Sequence, residues 1–290
     1  MNTNLREQPM SEQSWTNTIE SRRPLTDLRI RELWRYRHLV QIFVRRDFVA
    51  AYKQTILGQF WMIFPPLIST LVFTIIFGQV AQISSDGIPH LVFYMAGIIT
   101  WGYFNASVTA GANVFTSQAG LFSKIYFPRL TVPIGNTIST IIASSIQLMI
   151  FLCFVLYFWI KGQIPGPNWV ILVVPALYVM MSMFALGVGS LFSALTVKYR
   201  DLAFLLGFGM QLWMYATTII YPLSVIPEKY RLIALLNPMT PIIETFRYAW
   251  LGAGSFPVGG LICAALTSTV FFIIGVVVFN FVERTAMDLV

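Results

Sequence analysis

Apolar residues fill long stretches of this chain, and short polar or Gly- and Pro-containing segments separate them. Six stretches contain no Asp, Glu, Lys or Arg: residues 58–85, 91–123, 130–160, 169–197, 202–227 and 248–282. Each is longer than the ~20 residues that a helix needs to cross the hydrocarbon core of a bilayer. A helix pairs its own backbone groups in lipid, whereas the strands of a membrane barrel need only about ten residues each. The pattern predicts an all-α integral membrane protein with six transmembrane helices, at about 58–82, 91–116, 131–160, 169–196, 203–225 and 258–282.

The polar and basic segment before the first span divides into two parts. Residues 1–25 are rich in Ser, Thr, Asn and Gln, a composition typical of a mobile tail. From Thr26 onward apolar residues recur at helical spacing and arginines occupy much of the remaining surface. We expect an amphipathic helix at 26–55 that lies along the cytoplasmic membrane surface, within a single transmembrane domain at 26–290. Its candidates for contact with lipid headgroups are Arg29, Arg35, Arg45 and Arg46.

The segment between the fifth and sixth predicted spans is too apolar for an ordinary external loop. Asn237-Pro238 interrupts it, but Ile242–Leu251 remains apolar and aromatic. Two short re-entrant helices that dip into the outer leaflet would fit this pattern, with Asn237-Pro238 as the break between them. A plain loop is the alternative, but it would expose several large apolar side chains to water. We expect the segment to form an external gate whose candidate residues are Asn237, Pro238, Glu244, Phe246, Arg247 and Trp250.

The charge distribution indicates the orientation of the chain. The protein is 57% hydrophobic and 11% charged, with a net charge of +7 and a mean hydropathy of +0.71. A basic protein could bind nucleic acid, but here the excess charge sits beside the spans. With the N-terminus inside, only four of the 19 Lys and Arg residues fall outside: Lys161, Lys229, Arg231 and Arg247. Retention of positive residues in the cytoplasm explains this bias, so we expect cytoplasmic termini, membrane lipids as partners and no nucleic acid.

Sequence signals for catalysis, metal binding and ion coupling are missing. The chain has no GxxxxGK loop followed by Ser or Thr, which would cradle ATP. His38 and His90 are its two histidines, too far apart in sequence to indicate a metal site. The predicted spans carry no ionisable residue, which disfavours an ion-coupled carrier. These observations predict a transport subunit that has no catalytic residue, metal or cofactor of its own and draws its energy from elsewhere.

Four short stretches beside the predicted spans match motifs of one family. They are Tyr52–Gly58 followed by Trp61 and Pro66-Leu67, Leu121–Arg129 ending in Phe-Pro-Arg, Val197–Asp201 containing Tyr-Arg-Asp, and Asn237–Pro241 followed by Glu244 and Arg247. From about residue 25 onward the chain resembles the permeases of type-2 ABC exporters. Within that family it is most similar to the permeases that export lipid-linked polysaccharides such as O antigen, capsule or teichoic acid.

The resemblance implies a homodimer of six-span permeases in the bacterial inner membrane. Each permease would rest on a separate nucleotide-binding ATPase subunit that binds ATP and Mg²⁺ and hydrolyses the ATP. The two cytoplasmic connections would then be coupling elements that seat in clefts of the ATPase. Their positive charge also has the simpler explanation of retention inside. The candidate coupling residues are Phe122, Lys124, Phe127, Pro128, Arg129, Lys198, Tyr199, Arg200 and Asp201.

Aromatic residues make up 15% of the chain, and many of them lie within the spans. Trp and Tyr at span ends are ordinary interface anchors, but aromatic faces could also line a wide conduit for sugars. Candidates for such a wall are Tyr94, Trp101, Tyr103, Phe104, Trp213, Tyr215 and Tyr221.

The main hypothesis from the sequence is ATP-driven export of an undecaprenyl-linked polysaccharide of the O-antigen type. An exporter of drugs or small lipids, an ion-coupled carrier and a non-transporting membrane scaffold are the alternatives.

Overall fold

The computed structural model describes residues 36–52, 56, 58–114, 131–199 and 201–286, which form helices and connections without a β-strand. The predicted tail at 1–25 and residues 26–35 of the predicted interface helix lie outside the described residues. The α-helices are α1 (Arg37–Tyr52), α2 (Phe64–Phe73), α3 (His90–Ala112), α4 (Thr131–Ile160), α5 (Val174–Lys198), α6 (Leu202–Tyr215), α7 (Glu228–Leu236), α8 (Met239–Leu251) and α9 (Val258–Ala286). Single 3-10 turns precede α2 at Gly58–Met62 and α5 at Trp169–Val173.

Five helical segments of the described chain are long and apolar enough to cross a membrane. They are Phe60–Val80, His90–Ala112, Thr131–Ile160, Trp169–Thr196 and Val258–Phe281. These segments coincide with the first, second, third, fourth and sixth predicted spans. The prediction of an all-α membrane-spanning protein is therefore confirmed for the part of the chain that the structure describes.

The fifth predicted span, 203–225, is not one continuous helix. Helix α6 has 14 residues, which at 1.5 Å per residue is about 21 Å, less than the ~30 Å of a hydrocarbon core. After Tyr215 the chain turns, and the backbone N–H of Ile219 bonds to the Thr217 carbonyl at 2.7 Å. Pro222 adds a residue without an N–H. The prediction of one continuous helix over 203–225 is therefore wrong. The chain turns after Tyr215, and carbonyls of this turn bond to donors on another element, as described below.

The first span is built from three helical forms in succession. The 3-10 turn Gly58–Met62 precedes α2, and a π-helix at Thr74–Val80 follows it. The sequence predicts a break or kink at Pro65-Pro66, and α2 begins there, with the prolines in its first turn. The missing proline N–H groups cost nothing at that position because the first N–H groups of a helix have no intrahelical partner. Proline therefore sets the start of α2.

Helix α3 is the centre of the bundle. In its most apolar stretch 72% of the residues are buried, compared with 11% in the first span and 22% in the last. Aromatic rings pack between α3, α5 and α6: Phe104 stacks on Phe184 at 5.3 Å, and Trp213 meets both rings edge-on at 5.5 and 5.6 Å. A helix that is apolar on every side is expected in such an interior position.

Helix α5 approaches its neighbours through glycines. A Cβ atom on Gly187 would lie 2.4 Å from the backbone carbon of Phe271 in α9, and one on Gly275 would lie 2.4 Å from the Gly187 carbonyl oxygen. A Cβ on Gly189 would lie 3.0 Å from the Cα of Gly111 in α3. Small residues at a helix interface let the backbones come this close, and van der Waals packing of this kind helps to hold helices together in lipid.

Three connections meet at one end of the bundle and mark it as the external end of the predicted topology. Asp86 accepts a hydrogen bond from the Ser224 hydroxyl at 2.6 Å. The backbone N–H of Asn168 donates to the Ala249 carbonyl at 3.0 Å. The connections joined in this way are 82–89, 161–168 and 216–257.

We predict that Gly187→Ala destabilises the protein. The added Cβ would meet backbone atoms of α9, which cannot move aside as a flexible side chain can, and overpacking of this kind costs about 1–3 kcal/mol. The measurement is the unfolding midpoint of the purified protein in detergent. Gly102→Ala in α3 is the matched control, because no atom lies within 4 Å of its Cβ position. Equal midpoints for the two variants would contradict the prediction.

Candidate functional site

A cavity of about 520 Å³ lies beside the end of α6, at the external end of the bundle. Its wall is apolar and aromatic, with one amide side chain, and it carries no Asp, Glu, Lys or Arg. Nine residues line it: Trp213, Ala216, Tyr221, Ile226, Tyr230, Ile233, Ala234, Asn237 and Pro238. A neutral wall with exposed ring faces can contact a large polar molecule without holding it by charge.

The predicted aromatic wall residues divide into two groups. Trp213 and Tyr221 line this cavity, and Tyr215 is exposed beside it. Four others are at most 5% exposed and fill the bundle interior: Tyr94, Trp101, Tyr103 and Phe104. The single chain offers no open surface at these four positions. The sequence alone could not distinguish the interior aromatic residues from those at the cavity, because a helix buried in protein is as apolar as a helix that borders a conduit.

Asn237 joins α6, α7 and α8 at the edge of the cavity. Its Oδ1 accepts hydrogen bonds from the Trp213 indole N–H at 3.1 Å and from the Met239 backbone N–H at 3.2 Å. Its Nδ2 donates to the Thr217 hydroxyl at 3.0 Å. One amide therefore ends α7, begins α8 and holds the aromatic side chain that forms the cavity wall.

Arg247 lies fully inside the bundle, with 1% of its surface exposed. Its guanidinium donates to the backbone carbonyls of Thr218 at 2.5 Å, Ile219 at 2.8 Å and Phe93 at 3.3 Å. Its Cζ lies 3.7 Å from the centre of the Phe93 ring, a close cation–π contact. Sequence reasoning included Arg247 among the gate candidates but identified none of these partners, because three of them are backbone atoms that no motif marks.

Glu244 is the charge partner of Arg247. It is also 1% exposed, and its Oε1 accepts from Arg247 Nη1 at 3.4 Å. Its Oε2 accepts from the Ser255 hydroxyl at 3.4 Å. Buried charges require this kind of pairing. Within the described residues, no three His, Cys, Asp or Glu side chains come together as a metal site requires.

The remaining gate candidates are Pro238, just before α8, and Phe246 and Trp250 on α8, whose side chains point mostly into the bundle. Phe246 is fully buried, and its ring centre is 5.7 Å from that of Phe151 in α4. Pro238 is buried and Trp250 is half-buried. Helix α8 is therefore part of the packed bundle, whereas no residue of α7 is buried.

At the end of the bundle that the predicted topology places in the cytoplasm, the structure describes a minority of the predicted contact residues. Arg45 and Arg46 are exposed on α1, and the Arg46 guanidinium lies 5.0 Å from the centre of the Phe43 ring. Arg29 and Arg35 lie outside the described residues. Tyr199 and Asp201 are exposed in the tight connection between α5 and α6. Outside the described residues, or without a described side chain, are Phe122, Lys124, Phe127, Pro128, Arg129, Lys198 and Arg200.

Comparison with known proteins places the chain among transporters. Residues 38–251 match the family model described as ABC-2 type transporter. The O-antigen export system permease protein RfbA of Myxococcus xanthus is 28% identical over 75% of this chain and 82% of its own length. RfbA of Klebsiella pneumoniae is 27% identical over 83% and 91%. The polysialic acid transport protein KpsM of Escherichia coli is 22% identical over 72% and 80%.

We predict that Asn237→Ala lowers the thermal stability of the protein. The substitution removes the acceptor for the Trp213 indole N–H and for the first N–H of α8, and a half-buried donor without a partner costs about 1–3 kcal/mol. The melting temperature in detergent is the measurement, and Gln163→Ala, at an exposed position in the 161–168 connection, is the control. The prediction fails if the two variants melt together.

Proposed function

Because the chain belongs to the ABC-2 type transporter family, we propose that it is the membrane-spanning subunit of an ATP-driven exporter that moves an undecaprenyl-linked polysaccharide across the bacterial inner membrane. Relatives that cover most of the chain are named for O-antigen export and polysialic acid transport. The structural observation that carries the proposal is the early end of α6, which leaves an aromatic cavity and non-helical backbone near the external end.

In the proposed topology the chain crosses the membrane six times, with both termini in the cytoplasm. Five crossings are the long apolar segments, and α6 with the turn after it makes the sixth. The direction of α6 supports this count. Three residues separate the end of α5 from the start of α6, and the segment after α6 meets the other two external connections through the Ser224–Asp86 and Ala249–Asn168 hydrogen bonds.

The short length of α6 indicates what it faces. Non-helical backbone is stable at membrane depth only where protein covers it or where it borders a water-filled cavity. Protein covers the turn at Thr218 and Ile219, whose carbonyls bond to Arg247. At Ala216 and Tyr221 the turn borders the cavity, which fits the second condition if the cavity opens into a water-filled conduit. Helix α6 also has large exposed apolar side chains, Phe204 at 85% and Phe208 at 61%, and nothing lies within 4 Å of a Cβ at Gly207 or Gly209. We propose that a second copy of the chain packs on this face and completes the conduit.

The chemistry of the cavity suits a carbohydrate chain. Tyr221 and Tyr230 present ring faces, Asn237 offers an amide, and the lining residues carry no charge. An aromatic ring combines a flat apolar face with a polar edge or hydroxyl, which allows weak contact with successive sugars as they pass. The lipid anchor and its phosphates would meet Arg45 and Arg46 on the cytoplasmic side, where basic residues attract anionic headgroups.

Energy for export would come from a separate ATPase subunit that binds ATP and Mg²⁺. We propose that the connections containing Phe122–Arg129 and Lys198–Asp201 seat on that subunit. Tyr199 and Asp201 are exposed and lie between the end of α5 and the start of α6. Movement of the ATPase at these points would shift α5 and α6 as rigid elements.

We also propose that residues 237–254 close the outer end of the conduit at rest. Helix α8 supports this role because it is packed into the external end of the bundle beside the cavity. Phe246 would act from within this packed layer, since it contacts Phe151.

For the transport role, we predict that the double variant Tyr221→Ala/Tyr230→Ala loses most surface polysaccharide. Expressed in a host that lacks its own permease, it should lower export about tenfold, since each lost aromatic contact costs roughly 0.5–1 kcal/mol. Surface glycan and undecaprenyl-linked glycan retained in the cytoplasm are measured together. Tyr157→Ala, an exposed tyrosine on α4, is the control. Normal surface glycan from the double variant, at equal protein level, would contradict the proposal.

For the coupling role, we predict that Arg200→Ala and Asp201→Ala separate ATP hydrolysis from export. The complex should still assemble in membranes, but lipid-linked glycan should no longer stimulate its ATPase activity. The measurement is hydrolysis by the reconstituted complex with and without lipid-linked glycan. Gln163→Ala, at the opposite end of the bundle, should respond like the unmodified protein. Normal stimulation in both cytoplasmic variants would exclude this connection as a coupling element.

A further inference from the structure

Arg247 is the largest fully buried side chain in the described part of the chain, and packing alone does not explain a charge at that depth. Three of its four polar partners are backbone carbonyls, which a side-chain motif cannot encode. They belong to two elements: Phe93 to α3, and Thr218 and Ile219 to the turn after α6. A buried arginine on α8 thus contacts the backbone of α3 and the backbone of the turn after α6.

The turn after α6 needs such a donor. Thr218 and Ile219 lie beyond the end of α6, so their carbonyls have no partner within the helix, and a buried carbonyl without a hydrogen bond is costly. Arg247 bonds to the adjacent carbonyls of Thr218 and Ile219 with separate nitrogens, Nη1 and Nη2. A planar guanidinium can satisfy both at once, whereas a lysine ammonium donates from a single nitrogen.

The neighbouring helix leaves space for this arrangement, which is an independent observation. A Cβ atom on Gly97 of α3 would lie 2.8 Å from Arg247 Nη2 and 3.1 Å from Ile219 Cγ2. The absence of a side chain at Gly97 therefore lets the guanidinium and the turn approach α3 together. One turn earlier, the Phe93 ring covers the guanidinium at 3.7 Å.

We propose that Arg247 is a positioning residue for the outlet: its guanidinium holds the non-helical end of α6 between α3 and α8. In this way it sets the position of the wall that carries Trp213 and Tyr221. The proposal rests on the proposed function only in treating the cavity as an outlet. Because these hydrogen bonds connect α8 to the turn after α6, we expect the cavity wall to move together with α8 and not independently of it.

The test measures how often the end of α6 opens. Ile220, 6% exposed, is changed to Cys in a full-length chain whose exposed Cys153 and Cys263 are replaced by Ser. The chain is reconstituted with its ATPase, without nucleotide or glycan, and a membrane-impermeant maleimide is added outside. In Glu244→Gln/Arg247→Met both charges are removed together, so that no unpaired charge stays buried. We expect this background to label at least about tenfold faster, because the turn carbonyls lose charge-assisted hydrogen bonds.

The controls separate local opening from general unfolding. Gln163→Cys, exposed at the same end of the bundle, should label at one rate in both backgrounds. Arg247→Lys keeps the positive charge but loses the second donor nitrogen, so we expect Ile220→Cys in that background to label at an intermediate rate. An unchanged labelling rate in the folded double variant overturns the proposal. If the double variant does not fold, an unchanged rate in Arg247→Lys overturns it instead.

Discussion

The backbone carbonyls that follow α6 must find hydrogen-bond donors inside the bundle, and this requirement organises the external half of the molecule. Arg247 donates to the carbonyls of Thr218 and Ile219, and Asn237 donates to the Ala216 carbonyl at 3.5 Å and to the Thr217 hydroxyl at 3.0 Å. Both residues belong to the segment after α6, so the helix that ends early is held by the chain that follows it. The cavity, the break between α7 and α8 and the burial of α8 are all found where these bonds form.

Helices α7 and α8 differ in burial, and the hydrogen bonds of Arg247 account for the difference. Helix α8 carries the arginine and is buried along most of its length, whereas α7 has no buried residue and contributes Tyr230 and Ile233 to the cavity lining. The chain passes from one helix to the other at Asn237-Pro238. A firmly packed helix and a loosely packed one therefore stand side by side at the external end, and stability is unevenly distributed between them.

Much of the fold could be predicted from the sequence, because a lipid environment makes length and charge informative. Absence of charge over about 20 residues located the long spans, and Thr131–Ile160 matched its predicted limits. The early end of α6 was not predicted, since residues 216–222 carry no charge and so extend the charge-free stretch, while the donor that bonds to the turn, Arg247, lies about thirty residues later. Only the structure separates the aromatic residues of the bundle interior from those of the cavity. Phe104 and Trp213 both lie in charge-free stretches, and both contact Phe184, but Trp213 also lines the cavity.

The buried pair on α8 also constrains the order in which the protein is built. Helix α8 carries Glu244 and Arg247, and the acceptors of the arginine lie on α3 and after α6, both earlier in the chain. When α8 leaves the ribosome, the carbonyls that receive its charge have already been synthesised. The Glu244–Arg247 pair therefore enters the membrane when the other acceptors of the arginine already exist. Reversing that order, by circular permutation for instance, would place the pair in the membrane before those carbonyl acceptors are made.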